Sequence, residues 1–245
     1  MMKGETGRPP ETGALPLVLL PGLLCDATLW AHQTRHLADV APDIRVADLT
    51  GAESVTELAR GVLATAPERF ALAGLSMGGY VAFEVLRQAP GRVAKLCLVD
   101  TTARPDTDEQ KERRQALIKL AQTGRFKGVT PRLLPMLVHP DRLADTEVTE
   151  AIMAMAERTG RDAFCRQQTA ILTRPDSRPD LPGIHCPTLV IVGREDSLTG
   201  PEKAQEMADG IPGGRLAVVE RCGHLAPMEQ PEATTALMRL WLTQL

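Results

Sequence analysis

The chain is poor in aromatic surface: Phe, Trp and Tyr together make up 3% of its 245 residues. That scarcity argues against the stacking platforms that hold single-stranded nucleic acid. An excess of one charge is also missing. With 28 Lys and Arg against 31 Asp and Glu, the formal net charge is −3, so nothing favours nucleic acid or an anionic membrane surface. No apolar run approaches the roughly 20 residues that span a bilayer, and residues 15–20 are too short for the core of a secretory signal. The five cysteines, Cys25, Cys97, Cys165, Cys186 and Cys222, are odd in number, scattered and free of any C-x-x-C pair. They suit reduced, packed thiols better than a disulfide framework or a zinc site. The expectation is a cytoplasmic protein with a small-molecule substrate and no nucleic-acid or membrane partner. There is no internal repeat, and residues 1–13, polar and rich in Pro and Gly, are expected to form a flexible tail.

The length suits one large α/β domain, and 43% hydrophobic with 24% charged residues is ordinary for a globular protein. Short apolar runs at 15–20, 44–48, 70–74, 93–99, 187–192 and 216–220 read as strands. Helical patterns fall between and after them at 28–40, 54–66, 77–89, 201–209 and 231–242. Leu29, Trp30, His36 and Leu37 are the expected inner positions of the first. Ser54 followed by Glu57 is a capping box for the second. Strands apolar on both faces that alternate with helices describe a parallel sheet of about six strands, covered on each side.

The alternation breaks at 103–180, which is helical in character. The prolines at 131, 135, 140, 175 and 179 are expected to cut it into short helices, and the charged run at 106–114 to be a solvated first helix. The expected organisation is a core at 14–102 and 181–245 with a helical insertion at 103–180.

Gly74-Leu75-Ser76-Met77-Gly78 fits G-x-S-x-G, a serine on a sharp turn between strand and helix. Such a turn strains the serine backbone and brings its flanking residues nearly into contact, which glycines permit. It also lifts the hydroxyl above the sheet edge, where the next helix aims its first amides. Further along, Gly193-Arg194-Glu195-Asp196 puts a carboxylate beyond one core strand, and Cys222-Gly223-His224 an imidazole beyond the last. Ligands and catalysis collect at these carboxyl ends in open parallel sheets.

In these three motifs and their order, the chain resembles the α/β-hydrolase family from about residue 15 to its end, with 103–180 corresponding to the family's cap. The resemblance implies a Ser76 nucleophile, a His224 general base and acid, and an Asp196 that orients the imidazole. It implies an oxyanion hole from the backbone amides of Met77 and of Leu23, which follows Pro21-Gly22. Many family members have His-Gly at this point; the change removes a side chain from the loop's hydrogen bonding but leaves the backbone donor. The usual leading β-hairpin is expected to be reduced or absent. Leu24, Trp30, Phe126, Met136 and Leu137 are candidate pocket walls. No metal or organic cofactor is required by such a triad.

Asp100 also ends a core strand and competes with Asp196; the Gly193-x-x-Asp196 spacing favours the latter, leaving Asp100 to bind loop amides. Glu195 is expected to face solvent. Cys25 has no second base to make it a nucleophile, and Ile152, Met153 and Met155 read as core of the insertion. The expected activity is hydrolysis of a small or medium carboxylic ester, lactone or thioester through an acyl-enzyme. C–C bond hydrolysis or an elimination on the same triad is the second reading, and a non-catalytic receptor the third. A serine at the elbow speaks against the aspartate-dependent dehalogenases and epoxide hydrolases.

Overall fold

Alternate residues of each strand point to opposite faces of a sheet, and here both sets are apolar. In the computed structural model, which describes residues 14–124 and 126–245, six parallel strands form one sheet in the order β2-β1-β3-β4-β5-β6. They are β1 (Leu17–Leu20), β2 (Ile44–Val46), β3 (Phe70–Leu75), β4 (Val93–Val99), β5 (Thr188–Gly193) and β6 (Arg215–Val219). The expected tail lies outside the described residues, and no strand precedes β1 among those described.

Leu17, Leu19, Ala73, Val99 and Ile191 pack on one face with residues flanking the helix α1 (Ala31–His36), with the one-turn α7 (Ala226–Glu229) and with α8 (Pro231–Gln244). Val18, Leu20, Leu72, Leu98 and Val190 pack on the other with α2 (Val55–Thr65), α3 (Met77–Gln88) and α6 (Gly200–Gly210). Both faces are thus sealed from water, which is what an all-parallel sheet requires. The Ser54 side chain accepts the Glu57 amide at the start of α2, as its capping pattern demands.

Two expectations about the first helix change. A 3-10 turn at Ala27–Trp30 runs into α1, which ends at His36 rather than near residue 40. His36 is exposed, and Gln33 takes the inner place.

The segment between β4 and β5 carries α4 (Asp108–Thr123) and α5 (Thr146–Leu172). Its ends meet where Ser177 donates its amide to the Ala103 carbonyl at 2.8 Å. It is not divided into short helices throughout, because all five prolines fall outside 146–172. The 27-residue α5 is interrupted only by a kink at Gly160, where φ is 78°, a left-handed conformation that glycine adopts without strain.

The charged run is likewise only partly solvated. Most of α4 is exposed, but the Asp106 side chain is 1% exposed and receives Arg114 Nε at 2.6 Å and Arg174 Nη1 at 2.8 Å. Arg174 in turn lies over the Tyr80 ring, 4.2 Å from its centroid. This buried cluster ties both ends of the insertion to α3. Replacing Asp106 with Ala strands two cations at least partly out of water and should lower unfolding free energy by about 3 kcal/mol. Urea denaturation monitored by circular dichroism checks this; an unchanged midpoint would contradict it.

Candidate active site

Parallel strands end on the same edge of the sheet, and the residues that follow β1, β3, β4, β5 and β6 converge there. β3 ends at Leu75, immediately before Ser76. Ser76 has φ 52° and ψ −113°, a conformation that an L-residue holds only when its surroundings enforce it. They do so through its own backbone: the Ser76 amide donates to Val99 O at 3.0 Å, and its carbonyl accepts Thr101 Oγ1 at 2.8 Å. The flanking glycines are steric necessities. A Cβ on Gly74 would lie 2.5 Å from Gly78 O, and one on Gly78 would lie 2.2 Å from Leu20 O.

Ser76 Oγ lies 2.9 Å from His224 Nε2, and His224 Nδ1 lies 3.0 Å from Asp196 Oδ2. An ionised carboxylate can only accept, so Nδ1 carries the proton and Nε2 is left to accept from the serine hydroxyl. Asp196 is further held by the amides of Leu198 at 2.8 Å and Thr199 at 3.1 Å, and by the Thr199 hydroxyl. Burial opposes the charge of Asp196, but His224 beside it and these hydrogen bonds outweigh burial and keep its carboxyl below the usual carboxylate range. Burial pulls the imidazole down, while Asp196, Asp100 and Glu229 pull it up more strongly, so the pKa of His224 is raised.

His224 lies in the irregular loop between β6 and a one-turn helix at Ala226–Glu229, and the five amides from Cys222 to Ala226 are all engaged. Cys222 donates to Glu195 Oε2 at 3.0 Å, Gly223 to Glu229 Oε2 at 3.0 Å, and His224 to Leu137 O at 2.9 Å. Leu225 donates to Glu229 Oε1 and Ala226 to Asp100 Oδ2, both at 3.0 Å. Asp100 also accepts the Gly193 amide at 2.9 Å, the amide-binding role expected of it. Glu195 does not simply face solvent; it braces the histidine loop. Glu229, wholly buried, was not anticipated from sequence. The available signal was a single carboxylate, five residues after His224, closing an otherwise apolar stretch. Burial pushes its carboxyl up while the amides of His139, Gly223 and Leu225 pull it down, with the balance upward.

Met77 opens α3, so its amide has no acceptor within the helix. Pro21-Gly22-Leu23 runs beside it: a Cβ on Gly22 would lie 3.5 Å from that of Ser76. The Leu23 amide makes no hydrogen bond to a described residue, whereas Leu24, at φ 59°, gives its amide to Gln167 Oε1. Of the two expected donors, Met77 follows Ser76 in the chain and Leu23 follows Gly22, which approaches the serine. Cys25 is buried, and burial pushes its thiol up to about 12, far from a nucleophilic thiolate at neutral pH.

Of the expected pocket walls, Leu24 belongs to an apolar cluster with Ala121, Ala156 and Phe164, against which Leu23 and Phe126 pack. Met136 and Leu137 lie against the triad loops, their carbonyls accepting Ser197 Oγ and the His224 amide. Trp30 does not join them. It is fully buried in the core on the α1 and α8 face of the sheet, because the turn at Ala27–Trp30 directs its bulk inward. Ile152 and Met155 are buried core, as expected. A cavity of about 1030 Å³ lies within the insertion, lined by Phe126, Val129, Met153, Thr159, Gly160 and Ala163 among others. No triad residue lines it, but Phe126 and Val129 connect it to the cluster around Leu24. Among the described residues, no group of three or more His, Cys, Asp or Glu could hold a metal ion.

Known proteins similar to this chain share its fold. The description "Alpha/beta hydrolase family" matches residues 17–237. A thermophilic esterase from Thermogutta terrifontis is 34% identical with a TM-score of 0.82, the match covering 93% of this chain and 89% of that one. The enol-lactonase from Burkholderia xenovorans is 25% identical with a TM-score of 0.84, covering 96% and 94%. The pimeloyl-[acyl-carrier protein] methyl ester esterase of Vibrio campbellii is 26% identical, covering 89% of this chain and 90% of its own.

The electrostatics of the site can be measured directly. Titration of His224 by NMR should give a pKa above the ordinary imidazole value near 6.5, and Asp196→Asn should bring it down. A His224 pKa indifferent to that substitution would contradict the assignment.

Proposed function

We propose that this chain, which belongs to the alpha/beta hydrolase family, is a serine-dependent hydrolase that cleaves carboxylic esters through an acyl-enzyme formed on Ser76. The observation that carries the reading is the unbroken hydrogen-bonded chain from Ser76 through His224 to Asp196, mounted on a strained elbow. The esterase and lactonase likenesses support the same chemistry.

A serine hydroxyl is a weak nucleophile until a base takes its proton. His224 Nε2 accepts that proton as Oγ attacks the ester carbonyl, and Asp196 stabilises the imidazolium that forms. The amides of Leu23 and Met77 stabilise the developing oxyanion. His224 then returns the proton to the leaving alcohol. In the second half-reaction it activates water against the acyl-enzyme, and collapse of the second tetrahedral intermediate releases the acid and frees Ser76. The electrostatics suit this cycle. Asp196 stays ionised, while His224 is raised enough to be a good base and loses that role as pH falls through its pKa.

Residues 103–180 act as a cap. Leu24 and Phe164, with Leu23 and Phe126 packed against them, offer an apolar surface beside the loop after β1, which fits a small or medium acyl or alkoxy group. A lactone suits the same groups, since only the leaving alcohol's tether differs. All five cysteines are free, which supports the expected cytoplasmic location.

Hydrolysis of p-nitrophenyl esters graded in acyl length tests the reading. Wild-type turnover should exceed that of Ser76→Ala by roughly a thousandfold or more, with an optimum at short to medium chains. Equal rates in the two proteins would refute it.

A further inference from the structure

The loop after β1 must present the Leu23 amide to the site, yet little within the loop holds it there. Pro21 has no amide to donate. Inside the turn, the Cys25 amide bonds Gly22 O at 3.1 Å, and Cys25 Sγ reaches Leu23 O at 3.5 Å. Leu24 sits at φ 59°, a left-handed conformation that costs a leucine about 1–2 kcal/mol and persists only under external restraint. The restraint comes from 143 residues further along the chain. Gln167, on α5 of the insertion and wholly buried, accepts the Leu24 amide on Oε1 at 3.1 Å and donates Nε2 to Leu49 O at 3.1 Å. The bonds are complementary: a carbonyl oxygen faces an amide and an amide nitrogen faces a carbonyl, which fixes the orientation of the Gln167 head group.

Resting on the serine-hydrolase reading above, we infer that Gln167 is a positioning residue for the oxyanion hole, through which the cap shapes the catalytic centre. The Leu23 and Leu24 amides belong to consecutive peptide units. Fixing the second in a left-handed turn sets the direction of the first, and leaves Leu23 N–H unengaged and next to Ser76. Without Gln167 the Leu24 amide is buried and unpaired. The loop then relieves both that penalty and its backbone strain by rotating, and the Leu23 amide turns with it. The hole keeps Met77 but loses alignment of its other donor. Because the oxyanion exists only in the tetrahedral states, the loss falls on turnover rather than on binding of the ester.

The test compares Gln167→Met, nearly isosteric but without either hydrogen bond, and Gln167→Ala with wild type and Ser76→Ala. Rates are scaled to folded protein measured by circular dichroism. The expected result in the two Gln167 variants is a fall in kcat of roughly 10- to 100-fold, short of the 10²–10³ typical for deleting a donor outright. KM should stay within about twofold, and affinity for an alkyl boronic acid, which forms a tetrahedral adduct on serine, should drop in parallel with kcat. A merely structural role would lower the melting temperature and leave kcat and boronate affinity of the folded fraction unchanged; that result would overturn the inference while the serine-hydrolase reading stands. Wild-type turnover that does not depend on Ser76 would overturn both.

Discussion

The site depends on holding an irregular loop still. His224 must meet Ser76 across 148 residues of chain and Asp196 across 28. It sits in no strand or helix itself, only two residues ahead of the one-turn helix at Ala226–Glu229. Buried amides without partners are costly, and here that cost becomes a constraint. Five consecutive N–H groups, from Cys222 to Ala226, have defined acceptors on four different segments. Three of those acceptor groups are the carboxylates of Glu195, Glu229 and Asp100. Shifting the loop by a fraction of a bond length weakens several charge-assisted hydrogen bonds at once.

The same carboxylates shape the electrostatics. Asp100 and Glu229 are buried, and burying an isolated charge is unfavourable. The backbone amides that each binds oppose this, yet burial still pushes both carboxyls up, Asp100 to about 7 with the Asp196 charge adding to it. Where they ionise, they join Asp196 in placing negative charge around one imidazole. That surplus raises the affinity of His224 for a proton. It also explains how one family of contacts serves two ends: what anchors the loop also tunes the base it carries. The insertion joins the same network, since Leu137 O accepts the His224 amide and Glu229 also accepts the amide of His139 at 2.6 Å. The insertion is therefore part of the scaffold that holds His224 in place.

How much of this can be read from the chain alone follows physical lines. The six strands are visible because each is a short, largely apolar run, buried on both faces in β1, β3 and β5 and less completely at the edges in β2 and β6. The proposed triad is visible because the tight elbow demands glycines at fixed offsets, and because Asp196 and His224 each follow a recognisable strand. Contacts that depend on packing between distant segments leave no local mark. Gln167 and Gln168 are adjacent polar residues on one helix, yet Gln167 restrains the loop after β1 and Gln168 accepts Arg114. Trp30 and His36 fit one helical spacing, but the 3-10 turn before α1 rotates the pattern, so that Trp30 is buried as expected while His36 is exposed. Asp106 belongs to a run of charges that reads as solvated, and only the fold brings Arg174 to it from the far end of the insertion. The kink at Gly160, rather than any proline, interrupts α5, because nothing in the residues from 146 to 172 removes a helical amide.

The central claim is that Ser76 is made nucleophilic by His224. The most direct measurement is reaction with a fluorophosphonate followed by peptide mass mapping, in wild type and in His224→Ala. The account expects one adduct per chain on the peptide that contains Ser76, and a large loss of labelling rate when His224 is replaced. A folded protein that takes no label, takes it elsewhere, or labels at the same rate without His224 would contradict it.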